Sequence, residues 1–197
     1  MATTLDDLKH FLDEKELTYD VHEDDAAIII GFASGPDEMT YRDADGDPCV
    51  KVVVRLVERG EFVAVFAPHA WNLAGCAHRA AVCEAATRVQ AHMKLIRFDL
   101  DDDDYFQPNV EISLEDAAMC SAQLHRAITG ILMAIHQFDP VFRHAMETGE
   151  VDMDLAHTAP PEPPIDIAGI LDLARDAGGF DALEQLLGGD DVPPLRA

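Results

Sequence analysis

The stretch from Cys49 to Ala67, CVKVVVRLVERGEFVAVFA, decides the fold. Val50, Val52, Val54 and Leu56 alternate with Lys51, Val53, Arg55 and Val57, which predicts a strand with one wholly apolar face and one mixed face. Glu58-Arg59-Gly60-Glu61 supplies a short turn whose Gly60 can take positive φ, and Phe62 to Ala67 returns as a second strand, giving an antiparallel hairpin. The mixed face, with Val53 and Val57 between Lys51 and Arg55, is too apolar for free solvation and too charged for core.

Upstream, Thr4 is placed to cap a first helix, with Asp6 and Asp7 in its first turn and Leu5, Leu8, Phe11 and Leu12 on one stripe, ending near Glu16. Tyr19 and Val21 alternate with polar neighbours. The acidic cluster from Glu23 to Asp25 turns the chain, and Ala27 to Phe32 reads as a short buried strand. Residues 34–48 read as a loop or a frayed hairpin end.

Downstream, the Ala-rich segment from His69 or Ala70 to Met93 predicts a helix with Val82, Ala86, Val89 and Met93 on one line. A second hairpin follows, from Leu95 to Leu100 and from Tyr105 to Ile112, with the run Asp99 to Asp104 at its tip. Ser113 and Asp116 suggest a capping box opening the longest helix, lined by Leu124, Ile128, Ile131, Ile135 and Phe138. Asp139-Pro140 reads as a fresh N-cap with Pro at the first position of a short helix closed by Gly149. The expected fold class is α+β: an antiparallel sheet with helices packed on one face.

The domain is expected to end at residue 149. Residues 150–164 form an acidic, Pro-rich linker, and 165–197 an amphipathic tail whose Ile167, Ile170, Leu171, Leu183 and Leu187 would dock on their own domain or on a partner.

The charge balance is extreme, with 38 Asp and Glu against 14 Lys and Arg for a formal net charge of -24. Nucleic acid and anionic membranes would be repelled by such a surface. The N-terminus carries acid where a secretory leader needs base, and no apolar run approaches the ~20 residues that span a bilayer. A cytoplasmic protein is expected. Cys49, Cys76, Cys83 and Cys120 include no C-x-x-C pair, so reduced, buried thiols are the expectation.

The alternation Asp43-Ala44-Asp45-Gly46-Asp47 invites a calcium reading. An EF-type loop counted from Asp43 would need Gly at Pro48 and a carboxylate at Val54, so a solvated Asp-Gly turn is the better reading. Cys76, His78, Cys83 and His92 share a predicted helix, but Cys76 and Cys83 stand two turns apart, about 10 Å by helix rise, too far to share a zinc ion. No catalytic residue, metal or cofactor is assigned. Neither a P-loop, a dinucleotide fingerprint nor G-x-S-x-G occurs.

The pattern from about Thr4 to Gly149 resembles the YbjN-domain family, which is similar in fold to the class I type III secretion chaperones. The resemblance lies in LDDLKHFLDEKELTYDVHEDDAAIII, in FVAVFAP leading into an Ala-rich helix, in LIRFDLDDDDYFQPNVEISLED and in LHRAITGILMAIHQFDPVFRHAMETGE. It implies a bacterial, homodimeric, noncatalytic protein-binding domain of secretion-chaperone-like fold, and carries no catalytic residue over. The Pro-linked tail lies outside the pattern. A dedicated type III secretion chaperone is one alternative, and a small enzyme or divalent-cation sensor using the acidic clusters is another. The client-facing candidates are Val53, Val57 and Trp71, the lone Trp being a residue type enriched at binding hot spots though a capping or core contact is its better reading, together with the five tail residues named above.

Overall fold

A computed structural model describes residues 2–33, 41–114 and 117–156. The tail candidates Ile167, Ile170, Leu171, Leu183 and Leu187 lie outside the described residues, as do most of the proposed linker and Asp116. The chain runs α1 (Leu5–Asp13), β1 (Tyr19–His22), β2 (Ala27–Ala33), β3 (Cys49–Val57), β4 (Phe62–Phe66), β5 (Trp71–Asn72), α2 (Arg79–Gln90), β6 (Arg97–Leu100), β7 (Tyr105–Ser113) and α3 (Ser121–Thr148). All strand pairings are antiparallel. The first four strands form a meander. β7 then lies against β4 and the short β5 on one side and against β6 on the other.

The α+β architecture matches the expectation, and so does the hairpin. Val57 pairs with Phe62 and Val54 with Val65, around a turn in which Glu58, Arg59 and Gly60 all have positive φ. Gly60 is required there for a second reason, because a Cβ would stand 2.2 Å from the Thr3 carbonyl oxygen. Thr4 caps α1 as expected: it accepts from the Asp7 N–H at 3.2 Å while the Asp7 carboxylate accepts from the Thr4 N–H at 2.8 Å.

The inward face of the sheet carries Ile28, Ile30, Val52, Val54, Val63, Val65 and Val110, all buried, and α3 packs over it with Leu124, Ile128, Ile131, Ile135, Phe138 and Phe142. α1 and α2 flank α3 on that same side. The opposite face is covered by none of the three helices.

Three expectations for helix boundaries are corrected. The segment from residue 69 is not helical until Arg79. Trp71 and Asn72 instead pair with Phe106 and Tyr105, and the Leu73 N–H donates to the Asp104 carbonyl at 2.8 Å, so cross-strand partners outcompete the local helix preference of an Ala-rich run. Ser113 is not a helix cap but the last residue of β7, and α3 begins behind Cys120, whose N–H donates to the Gln123 side chain at 2.9 Å. Pro140 does not open a new helix. It sits inside one continuous α3, because Asp139 spends its carboxylate on the side chains of Trp71, in β5, and Arg143, one turn further along α3, rather than on backbone N–H groups of the next turn.

The thiols differ from expectation too: Cys49 and Cys76 are half-buried, whereas Cys83 and Cys120 are exposed. No helix among the described residues is long and apolar enough to cross a membrane.

Candidate functional site

Strand alternation sends every second residue of β2, β3, β4 and β7 to the uncovered face. Register then fixes who stands beside whom. Ile29, Val53, Phe66 and Asn109 form one cross-strand row, and Ala27, Arg55, Ala64 and Glu111 form the next. Val57 pairs with Phe62 at the hairpin end, and Gly31 with Lys51 at the other. Ile29, Val53 and Phe66, with Ala27 and Ala64 behind them, make an apolar patch at the centre of a face that no described helix covers. Neighbouring side chains already bury Val53 to 8% exposure, whereas Ile29, Val57, Phe62 and Phe66 remain half-exposed.

The patch is flanked by cations held in different ways. Arg97 is tied to Glu111 at 2.7 Å and to Asp99 at 3.2 Å, while Lys51 is tied to Asp43 at 3.0 Å and Asp47 at 3.1 Å. Arg55 lies over the Phe66 ring at 5.5 Å from its centroid and has no ion pair among the described residues. Gly31 leaves a dip, since a Cβ there would meet nothing within 4 Å. Asn109 donates to Asp99 at 2.6 Å, and its own side-chain carbonyl oxygen is buried without a donor among the described residues.

Val53 and Val57 therefore share this face, as the sequence suggested. Trp71 does not, and its reading as a surface anchor is corrected. It is 2% exposed, on the inward side, ringed by Tyr41, Phe98, Phe106 and Phe142, with its indole N–H donating to Asp139 at 2.8 Å. Ile29, Phe66, Ala27 and Ala64 were not singled out from sequence. The signal that finds them is the registered pairing of the 27–33 run with the central strand.

Asp139 is 4% exposed, and burial raises its carboxyl above the usual range although Arg143, at 2.9 Å, and Trp71 both favour the charged form. Arg143 also donates to the Arg42 carbonyl at 2.7 Å, so one carboxylate knits α3 to β5 and to the loop before β3.

That loop is the acidic run that invited a calcium reading. Asp43 is buried rather than solvated: one carboxylate oxygen accepts the N–H groups of Asp45 and Asp47 at 3.1 and 2.8 Å, and the other accepts from Lys51. Asp43, Asp47 and Cys49 bring potential ligand atoms within 4.8 Å of one another, yet the Lys51 ammonium already fills the cation's place. The hydrogen bonds that Lys51 donates to Asp43 and then to Asp47 raise its pKa, fixing its charge. Among the described residues the four cysteines form no disulfide, and no zinc-like group of Cys and His assembles on α2.

No family model matches the chain, and no curated protein matches it. The solved structures similar to it include YbjN from E. coli, described as a candidate transcription regulator, at 14% identity and TM-score 0.49, covering 71% of this chain and 94% of that one. They also include the HopA1–SchA chaperone–effector complex, at 13% identity and TM-score 0.43, covering 66% of this chain and 88% of the matched one.

Proposed function

We propose that the chain is a noncatalytic, cytoplasmic protein-binding module that takes a segment of a protein client on the open face of its sheet and works as a homodimer. The observation that carries this reading is the row Ile29, Val53 and Phe66, apolar, in register and uncovered by any described helix, with the unpaired Arg55 beside it. A client segment with two or three apolar side chains and one carboxylate satisfies both features, burying apolar area and pairing the guanidinium. The acidic loop favours no cation-sensor role, because the Lys51 ammonium already stands between Asp43 and Asp47 where a cation would sit.

The tail residues Ile167, Ile170, Leu171, Leu183 and Leu187 enter this reading either as a lid on the same face or as a second binding peptide, and removing residues 157–197, which leaves Val151, Met153, Leu155 and the buried Ala156 on the core, separates the two. A truncated protein that aggregates identifies a lid, and a soluble one that loses a partner identifies a ligand.

The direct test places a photo-crosslinking phenylalanine analogue at Val57 on the open face, and at Arg126, exposed on α3, as a control. Discrete adducts with another protein from position 57 that disappear in the Ile29→Lys background support the reading. Equal adducts from both positions, or none from 57, overturn it.

A further inference from the structure

Two charges of opposite sign stand open on the uncovered face. Asp20, on β1, pairs with Ile29 and points outward with it, while Arg55 stands in the next row beside Ala27. Both are exposed, and neither has an ion pair among the described residues. They lie two strands and one row apart, about 12 Å by strand spacing and rise, with Ile29 and Ala27 between them. The face as a whole is balanced, Lys51, Arg55 and Arg97 standing against Asp20, Asp99 and Glu111, in a chain whose net charge is -24. An acidic segment is repelled less here than elsewhere on such a surface.

The chain carries a segment of matching pattern. In Ile165 to Asp176, IDIAGILDLARD, helical spacing puts Ile167, Ile170, Leu171 and Ala174 on one stripe, with Asp166 on one border and Arg175 on the other. Over a helix the rise from Asp166 to Arg175 is about 13.5 Å, close to the gap between Arg55 and Asp20. A helix this short is not stable alone and needs a surface to form on. The later run from Phe180 to Leu187 has no cation to meet Asp20.

The tether is long enough. The described chain ends at Ala156, buried where Met153–Ala156 packs against α3, the central helix of the covered side. Residues 157–164, HTAPPEPP, are half Pro and reach about 25 Å at ~3.1 Å per residue. Layers on opposite faces of one sheet stand about 20 Å apart, within that reach.

We infer that residues 165–176 dock as a helix on the open face of their own chain, Asp166 at Arg55 and Arg175 at Asp20, with Ile167, Ile170 and Leu171 over Ile29, Ala27 and Val53. The inference rests on the reading of this face as the client site and adds its regulation. The segment supplies the apolar side chains and the carboxylate that a client offers, so a client binds by displacing it.

The test uses the purified full chain with the photo-crosslinking phenylalanine analogue at Val57, two residues along β3 from Arg55, in equal parts of light and isotope-heavy protein. Peptide masses should show position 57 joined to residues 165–176, in pairs wholly light or wholly heavy. Asp166→Arg and Arg55→Glu should each lower that yield roughly fivefold, and Arg55→Glu/Asp166→Arg should restore it. Arg175→Glu and Asp20→Arg should behave the same way, singly and together. No adduct with residues 165–176, or a yield that the charge exchanges leave unchanged, overturns the docked segment, and client adducts from position 57 then leave the client reading standing. Mixed light and heavy pairs overturn docking within one chain. Adducts with residues 165–176 that persist where no client adduct forms support the docked segment and overturn the client reading.

Discussion

The indole N–H of Trp71 donates to the buried Asp139 carboxylate at 2.8 Å, joining a two-residue strand to the middle of the longest helix. Trp71→Phe keeps an aromatic ring but deletes the donor and part of the indole's bulk, so the cost below is a lower bound. Leaving a buried carboxylate oxygen unpaired should cost about 1–3 kcal/mol, read as a lower urea midpoint with an unchanged slope.

The same carboxylate sets a pH dependence of definite sign. Burial raises its folded-state pKa above the ordinary value of 3.8, so the folded protein holds this proton more tightly than the unfolded chain. Its contribution is greatest below that ordinary value and is lost as pH rises through the raised one. The stability of wild type relative to Asp139→Asn should therefore fall with rising pH across that window and level off above it.

His125 and His136 act in the opposite direction. Burial lowers both imidazoles below their ordinary 6.5, and the His125 Nε2, 3.1 Å from the Phe11 carbonyl, carries the proton in the neutral ring. Their share of stability is complete above pH 6.5 and is lost as pH falls through the lowered values. Urea midpoints taken from pH 8 down to 5 should decline for wild type and decline less for His125→Gln/His136→Gln.

Lys51→Met removes the ammonium from between Asp43 and Asp47. The variant should lose about 1–3 kcal/mol by leaving Asp43 without its cation. It should also acquire what wild type lacks, a rise in melting temperature on adding millimolar calcium, because three acidic side chains then surround an empty place.

Pro140 lies within α3, where it cannot donate to the His136 carbonyl. Pro140→Ala restores that bond and should stabilise the protein by about 1–3 kcal/mol in thermal or urea unfolding.

The parts of the fold legible in the sequence were those with strong local periodicity. The β3–β4 hairpin, the Thr4 cap and the apolar line of α3 all follow from spacing alone. What escaped depends on partners distant in sequence. Ala-rich composition argues for helix at Trp71, but its pairing with Phe106 and its bond to Asp139 lie beyond any local window. Asp139-Pro140 has the composition of a helix start, and only the carboxylate's engagement with Trp71 and Arg143 shows why the helix runs through. The open face was half legible. Val53 and Val57 stand out against charged neighbours, whereas Ile29 and Phe66 join them only once register places them in the same row.

The placement of β7 has a consequence during synthesis. β4 receives its second neighbour from residues that leave the ribosome well after it, since Phe66 pairs with Asn109 and Phe62 with Ser113. Until then a nascent chain that has formed the four-strand meander carries an unpaired ladder edge bordered by Phe62 and Phe66, the kind of edge that recruits strands from other chains. Closure by β7 is thus the step that separates productive folding from aggregation, and slowing translation between Ala67 and Tyr105 should lower the soluble yield without altering the protein that escapes.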